Sequence, residues 1–335
     1  LKRPNLRLVT GAHVEHLMLH GKRAVAVIFE KDGQRMIAHA AGEIVLAAGA
    51  IGSPKILELS GIGRPAVLAK AEIELRHALP GVGENLQDHL QLRPIFKLEN
   101  ARTLNIEYRS LVKRAGMAVD YALFRRGPLT MAPSQLGIFT KSSANYATAN
   151  LEFHVQPLSL DKFGDVMHPF AAITLSVCNL RPTSRGTCHV ASPDSRAHPK
   201  ISPDYLSTAE DKQVAVDALR LVRRLCAAKA LQSYALEEYR PGAELTSDAE
   251  LAHAAADIGT TIFHPVGTAK MGIDSDPSAV LDTRLRVRGL AALRVADASA
   301  MPAITSGNTN SPTLMIAEKA AEMILEDAKR GYASK

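Results

Sequence analysis

The 335-residue chain has no tryptophan, and its 8 phenylalanines and 7 tyrosines amount to only 4% aromatic residues. That scarcity disfavours an aromatic cage of the kind that holds a quaternary ammonium group. Three cysteines, Cys178, Cys188 and Cys226, are too few for a disulfide framework and show no C-x-x-C spacing for a metal, so a reducing compartment is the simpler reading. No run approaches the ~20 apolar residues needed to cross a bilayer. The first residues, LKRPNLRLVT, lack the apolar core of a secretion signal. A dominant charge is missing too. Basic residues number 40 against 34 acidic, and the net +6 is spread over doublets such as Lys113-Arg114, Arg125-Arg126 and Arg223-Arg224. A dispersed excess describes a solvated surface, not a nucleic-acid-binding stripe.

What is present describes a globular protein: 46% apolar and 22% charged residues, with room for about two domains at ~150 residues each. Residues 6–14 and 22–30 read as strands, the latter closed by a Lys31-Asp32-Gly33 turn. The apolar run Ile44–Ala48 reads as a strand buried on both faces, as in a parallel sheet. After Gly49 a helix is expected from Ser53-Pro54, with Ser as cap and Pro in the first position, ending near Ser60-Gly61. From about residue 91 the pattern becomes antiparallel: strands over 92–98, 151–157, 171–178 and 186–191, and helices over 110–126 and 208–229. Residues 289–297 read as a strand again, and 312–329 as a last helix. The order implies an α/β unit at 1–90 and 261–335, interrupted by an α+β unit at 91–260 built on an antiparallel sheet.

Three segments carry candidate chemistry. The Gly-x-Gly of Gly61-Ile62-Gly63 follows a helix, so it reads as a helix cap and turn. Gly81-Val82-Gly83 lacks a preceding buried strand, which leaves no phosphate-binding fingerprint. His264 opens a compact Pro/Gly loop, TIFHPVGTAKMG at 261–272; such a loop can hold an imidazole at a cleft wall, though a lone histidine is more often structural. Asp297 ends a buried strand where α/β sheets bind ligands. The small-residue loop Thr305–Ser311 then enters the last helix, with Ser311 as expected cap and Pro312 in the first turn. N–H groups at such an end favour an electron-rich ligand atom. The cap explains Ser311 but leaves Asn308 and Asn310 unexplained.

Together, GAIGSPKILELSGIG at 49–63, LPGVGENLQDH at 79–89, LRPTSRG at 180–186 and the series His264-Pro265-Val266-Gly267-Thr268, Asp297-Ala298-Ser299, Gly307-Asn308-Thr309-Asn310 resemble the glucose–methanol–choline (GMC) family of FAD-dependent oxidoreductases. The resemblance covers essentially the whole chain. It implies a Rossmann-like FAD-binding domain, incomplete here, with the 91–260 insertion as the substrate-binding domain. Family members carry an N-terminal βαβ unit with a Gly-rich fingerprint. This chain begins at Leu1 without methionine, and the expectation is that it starts after that unit, as a fragment of a longer polypeptide.

The resemblance also implies roles. His264 is similar to the histidine beside flavin N5 and Asn310 to its partner. Asp297 and Ala298 resemble contacts to the ribityl–pyrophosphate region, while Asn308, Thr309 and Thr313 fall near the pyrimidine end of the ring. Val14, Ala48 and Gly49 fall near the adenosine. The implied reaction oxidises an alcohol to an aldehyde or ketone by hydride transfer to flavin N5. Neutral imidazole takes the hydroxyl proton, and the non-titrating amide of Asn310 orients the substrate. The few aromatics and the aliphatic, small stretch 127–140 favour an uncharged aliphatic alcohol over choline. The electron acceptor, a quinone-type compound or O2, stays open. No metal, nucleic-acid partner or transmembrane segment is expected; the expected location is cytoplasmic, with peripheral contact at the inner face of the membrane compatible. Two alternatives stand beside this reading: a hydroxynitrile lyase-type relative that keeps FAD structurally, and a chain that cannot hold FAD alone.

Overall fold

A computed structural model of the chain describes residues 3–331 apart from 133 and 163. Leu1, the expected entry point, and Pro133 within the 127–140 stretch lie outside the described residues. The chain divides into two compact units, one of Leu1–Asp88, Arg185–Asp204 and His264–Lys335, the other of His89–Ser184 and Tyr205–Phe263. Residues 185–204, expected within the insertion, cluster with the outer segments. The reason is local: Leu86 and Gly186 exchange backbone hydrogen bonds of 2.9 and 2.8 Å, and Cys188 N–H donates to the Gly83 carbonyl at 2.7 Å.

In the first unit, strands Ala12–His20, Arg23–Lys31 and Gln34–His39 form an antiparallel sheet in that order. The first strand begins later than expected, after Gly11 at φ +67°. Ile44–Leu46 pairs in parallel with Leu293–Val295, and both segments of the second unit, His89–Ser184 and Tyr205–Phe263, lie between them in the chain. Leu46, Leu57, Val280, Leu281, Val295 and Ile316 pack into the core of this unit.

The helix expected from Ser53 starts instead at Gly49 and runs Gly49–Leu59, with Pro54 inside it. Ser53 is no cap, because its hydroxyl accepts from Ala48 N–H at 3.1 Å and donates to the Asp297 carboxylate. Pro54 has no N–H for the Ala50 carbonyl one turn back. That carbonyl accepts the Thr268 hydroxyl at 2.6 Å instead. The helix ends as the sequence indicates. Gly61 adopts φ +76° and donates to the Glu58 carbonyl, and a Cβ there would sit 2.4 Å from the Glu74 carbonyl oxygen. Gly81 is likewise structural, since a Cβ would meet the Ser278 carbonyl oxygen at 2.2 Å.

Glu58, fully buried, receives the imidazole of His189 at 2.7 Å and the N–H of Val190 at 2.8 Å. Glu84 lies 3.3 Å from the other ring nitrogen. Burial alone would lower the His189 pKa, but the Glu58 and Glu84 carboxylates outweigh it and raise the pKa above its ordinary value. Protonated His189 therefore stabilises the fold fully below the unfolded imidazole value of ~6.5, and the contribution fades as pH rises through the higher folded value. We expect the denaturant midpoint to fall over that alkaline-going window, and His189→Gln to flatten the fall. An identical slope in the variant would refute the assignment.

In the second unit, strands Ile95–Lys97, Ala172–Asn179, Leu151–Gln156 and Leu136–Thr140 neighbour one another in an antiparallel sheet that also includes Leu90–Leu92, Glu237–Arg240 and Gly259–Thr261. The strand expected over 92–98 is split at Arg93-Pro94 into Leu90–Leu92 and Ile95–Lys97, as a proline without N–H requires. Helix Ala209–Cys226 lays Val214, Ala218, Leu219 and Val222 against Leu151, Phe153, Leu175 and Val177 of the sheet. Helix Leu111–Phe124 is capped by Ser110 and buries none of its residues.

Candidate active site

The His264 loop is held by its backbone. His264 N–H donates to Asp88 Oδ1 at 2.9 Å, and Asp88 is only 6% exposed. Val266 exchanges backbone bonds of 2.9 and 3.0 Å with Gln87. Gly267, at φ +92°, donates to the Ala298 carbonyl at 3.2 Å. A Cβ on Gly267 would lie 2.7 Å from the Asn85 carbonyl oxygen, so this position needs glycine on both conformational and packing grounds. The imidazole itself is half-buried. Burial lowers its pKa, and the opposing Asp88 charge is the smaller influence, so the ring is neutral at neutral pH. A neutral imidazole is the form that accepts a proton.

Asp297 joins this loop to the parallel strands. Its Oδ2 accepts from Gly49 N–H at 2.9 Å and from the Ser53 hydroxyl, and its Oδ1 accepts from Ser299 N–H at 2.8 Å and from the Ser299 hydroxyl. The carboxylate expected to meet a ligand is thus engaged four times by the chain. What remains is backbone: the N–H groups of Asp297 and Ala298 donate to no acceptor among the described residues.

The last helix runs Asn310–Lys329, two residues earlier than expected, and Thr309 rather than Ser311 stands at its cap position, with no side-chain cap bond. Ser311 is exposed inside the first turn, where Pro312 also lies. Asn310 is exposed and Thr309 is buried, while the Thr313 hydroxyl bonds the Thr309 carbonyl at 2.7 Å. Asn308, exposed, precedes them in the loop. Gln87 links this region to the histidine loop. Its Oε1 accepts from Ile304 N–H at 3.1 Å and its Nε2 donates to the Pro302 carbonyl at 3.2 Å. Gln87 and Asp88 were not singled out from sequence; both belong to the polar 79–89 segment, but their partners lie some two hundred residues on. Val14 lies half-buried on the edge strand of the antiparallel sheet, opposite Phe29 and beside a register shift.

These residues fit a large polar cofactor. The buried Thr305 hydroxyl has no hydrogen-bond partner, the N–H groups of Asp297 and Ala298 are available, and Cβ atoms at Gly49 and Gly307 would meet open space. Unsatisfied donors beside uncrowded glycines are what a bound nucleotide requires.

A parallel strand pair in one unit and an antiparallel sheet in the other are the architecture of a Rossmann-like FAD-binding domain with a substrate domain. Two family models, both described as GMC oxidoreductase, match residues 1–91 and 182–317. The chain belongs to the GMC oxidoreductase family, whose cofactor is FAD. It is 36% identical over 327 residues to an alcohol dehydrogenase [acceptor] of Pseudomonas putida, covering 97% of this chain and 59% of that protein. It is 37% identical over 324 residues to an oxygen-dependent choline dehydrogenase of Vibrio vulnificus, covering 97% and 58%. The structure of pyridoxine 4-oxidase from Mesorbium loti superposes with a TM-score of 0.83 at 27% identity, covering 97% of this chain and 59% of that one. The chain thus spans about three fifths of the length of the curated relatives it matches. Among the described residues, no helix is long and apolar enough to cross a membrane.

Proposed function

We propose that this chain carries the proton-accepting and substrate-orienting part of an FAD-dependent alcohol oxidation, giving an aldehyde or ketone. The observation that carries the reading is His264: half-buried, fixed through its backbone to Asp88, and kept neutral by desolvation. FAD, when bound, supplies the hydride acceptor. His264 takes the hydroxyl proton as general base. Asn310, whose amide does not titrate, holds the substrate oxygen and thereby the C–H bond. The backbone of Asp297 and Ala298 would hold the ribityl–pyrophosphate region. Asn308, Thr309 and Thr313 would hold the pyrimidine end, aided by the unsatisfied N–H groups at the start of helix Asn310–Lys329. Val14, Ala48 and Gly49 would line the adenosine.

The substrate we propose is an uncharged aliphatic alcohol, supported by the absence of tryptophan and by the small, aliphatic stretch 127–140. The test is anaerobic absorbance of the FAD-loaded protein. We expect a primary aliphatic alcohol to bleach the oxidised FAD spectrum, and choline to do so far more slowly. Cyanohydrin cleavage without bleaching would overturn the reading in favour of a lyase.

A further inference from the structure

The sheet of the second unit has one face packed on helix Ala209–Cys226 through Leu151, Phe153, Leu175 and Val177. Side chains alternate along a strand, so Glu152 and His154 point to the other face. Glu152 pairs directly with Cys178 across the antiparallel ladder, which puts all three on that face. One ligand atom from each, a carboxylate oxygen, an imidazole nitrogen and the sulfur, lie within 4.8 Å of one another. The His154 Nε2 is 3.4 Å from Glu152 Oε1.

The second oxygen, Glu152 Oε2, is buried without a hydrogen-bond partner in a residue only 3% exposed. An orphaned carboxylate oxygen is costly in a protein interior and points to a missing partner.

We propose that Glu152, His154 and Cys178 bind one zinc ion, with water in the fourth position. The oxygen, nitrogen and sulfur donors match zinc, whereas a thiolate excludes magnesium and calcium. Binding converts the Cys178 thiol to a thiolate and releases one proton to solvent. The dication then meets one thiolate and one carboxylate, so the buried cluster becomes neutral. Ligand atoms around tetrahedral zinc stand roughly 3.2–3.8 Å apart, so the present cluster needs to close by about 1 Å, within reach of side-chain rotation. This site is independent of the reaction proposed above.

The test uses the full chain, stripped with a chelator and reloaded with zinc or cobalt(II). Elemental analysis should give one zinc per chain. X-ray absorption at the zinc edge should show one sulfur at about 2.3 Å with lighter donors near 2.0 Å. Cobalt(II) should produce a thiolate charge-transfer band in the difference spectrum. Cys178→Ser should abolish that band, His154→Gln should weaken cobalt binding at least tenfold, and Cys226→Ser should leave both unchanged. If Cys178→Ser does not fold, the X-ray absorption spectrum of the wild-type chain decides. No bound metal, a sulfur-free coordination shell, or a band that survives Cys178→Ser overturns the proposal.

Discussion

Replacing His264 by alanine in the FAD-loaded protein should slow alcohol-driven FAD reduction about a thousandfold, the scale of a lost general base, while FAD stays bound. The two parts of that expectation rest on different atoms. The imidazole is the proton acceptor. The loop, by contrast, is held by His264 N–H on Asp88, by the Val266–Gln87 pair and by the Thr268 hydroxyl on Ala50, none of which needs the ring. A variant that loses FAD would therefore place the ring in the cofactor-binding architecture instead. The lowered pKa adds a pH signature. Since burial keeps the ring neutral, the acid limb of the reduction rate should lie below the ordinary imidazole value, with a plateau through neutral pH. Stopped-flow measurement without oxygen reads both; an unchanged rate in His264→Ala would remove the residue from the reaction.

The elements written in local pattern were legible. Period-2 alternation located Leu151–Gln156 and Ala172–Asn179, and helical spacing located Ala209–Cys226. Gly61 read as a helix cap and is one. Where reading failed, a distant partner had taken over a local signal. Ser53-Pro54 has the composition of a helix start, but Ser53 is drawn to Asp297, 244 residues on, and the carbonyl freed by Pro54 is claimed by Thr268. Ser311 has the composition of a cap but sits two residues too late to be one. Asp297 was legible as a strand-end carboxylate, but not the four donors that occupy it. Cys178 showed no metal spacing because its neighbours Glu152 and His154 come from another strand, and only the register brings them together.

The second large effect concerns the same parallel pair that carries Asp297. Arg294, in the middle of strand Leu293–Val295, is 1% exposed. Its guanidinium donates to Glu43 at 2.8 Å, to the Arg284 carbonyl at 2.7 Å and to Asp327 of the last helix. Asp327 also receives Arg284 at 2.9 Å. Burial alone would raise the Asp327 pKa, but the Arg294 and Arg284 guanidinium groups outweigh it and hold the carboxyl below its usual range. Asp327→Ala should destabilise the protein by about 3 kcal/mol, because it leaves buried positive charge with Glu43 as the main remaining counter-ion. Equilibrium denaturation followed by far-ultraviolet dichroism reads the loss. Arg294→Met combined with Asp327→Leu should recover much of it, since apolar groups of similar volume remove the desolvation cost together with the pairing. If the double variant were no more stable than Asp327→Ala, packing of the last helix, not charge burial, would be the source of the loss. The distinction bears on the site, because the strand that Arg294 anchors ends at Asp297 and the helix that Asp327 anchors begins at Asn310. A helix held at its far end by charge should loosen at Asn310 when Asp327 is removed and tighten again in the double variant, which amide hydrogen exchange across 305–313 would register.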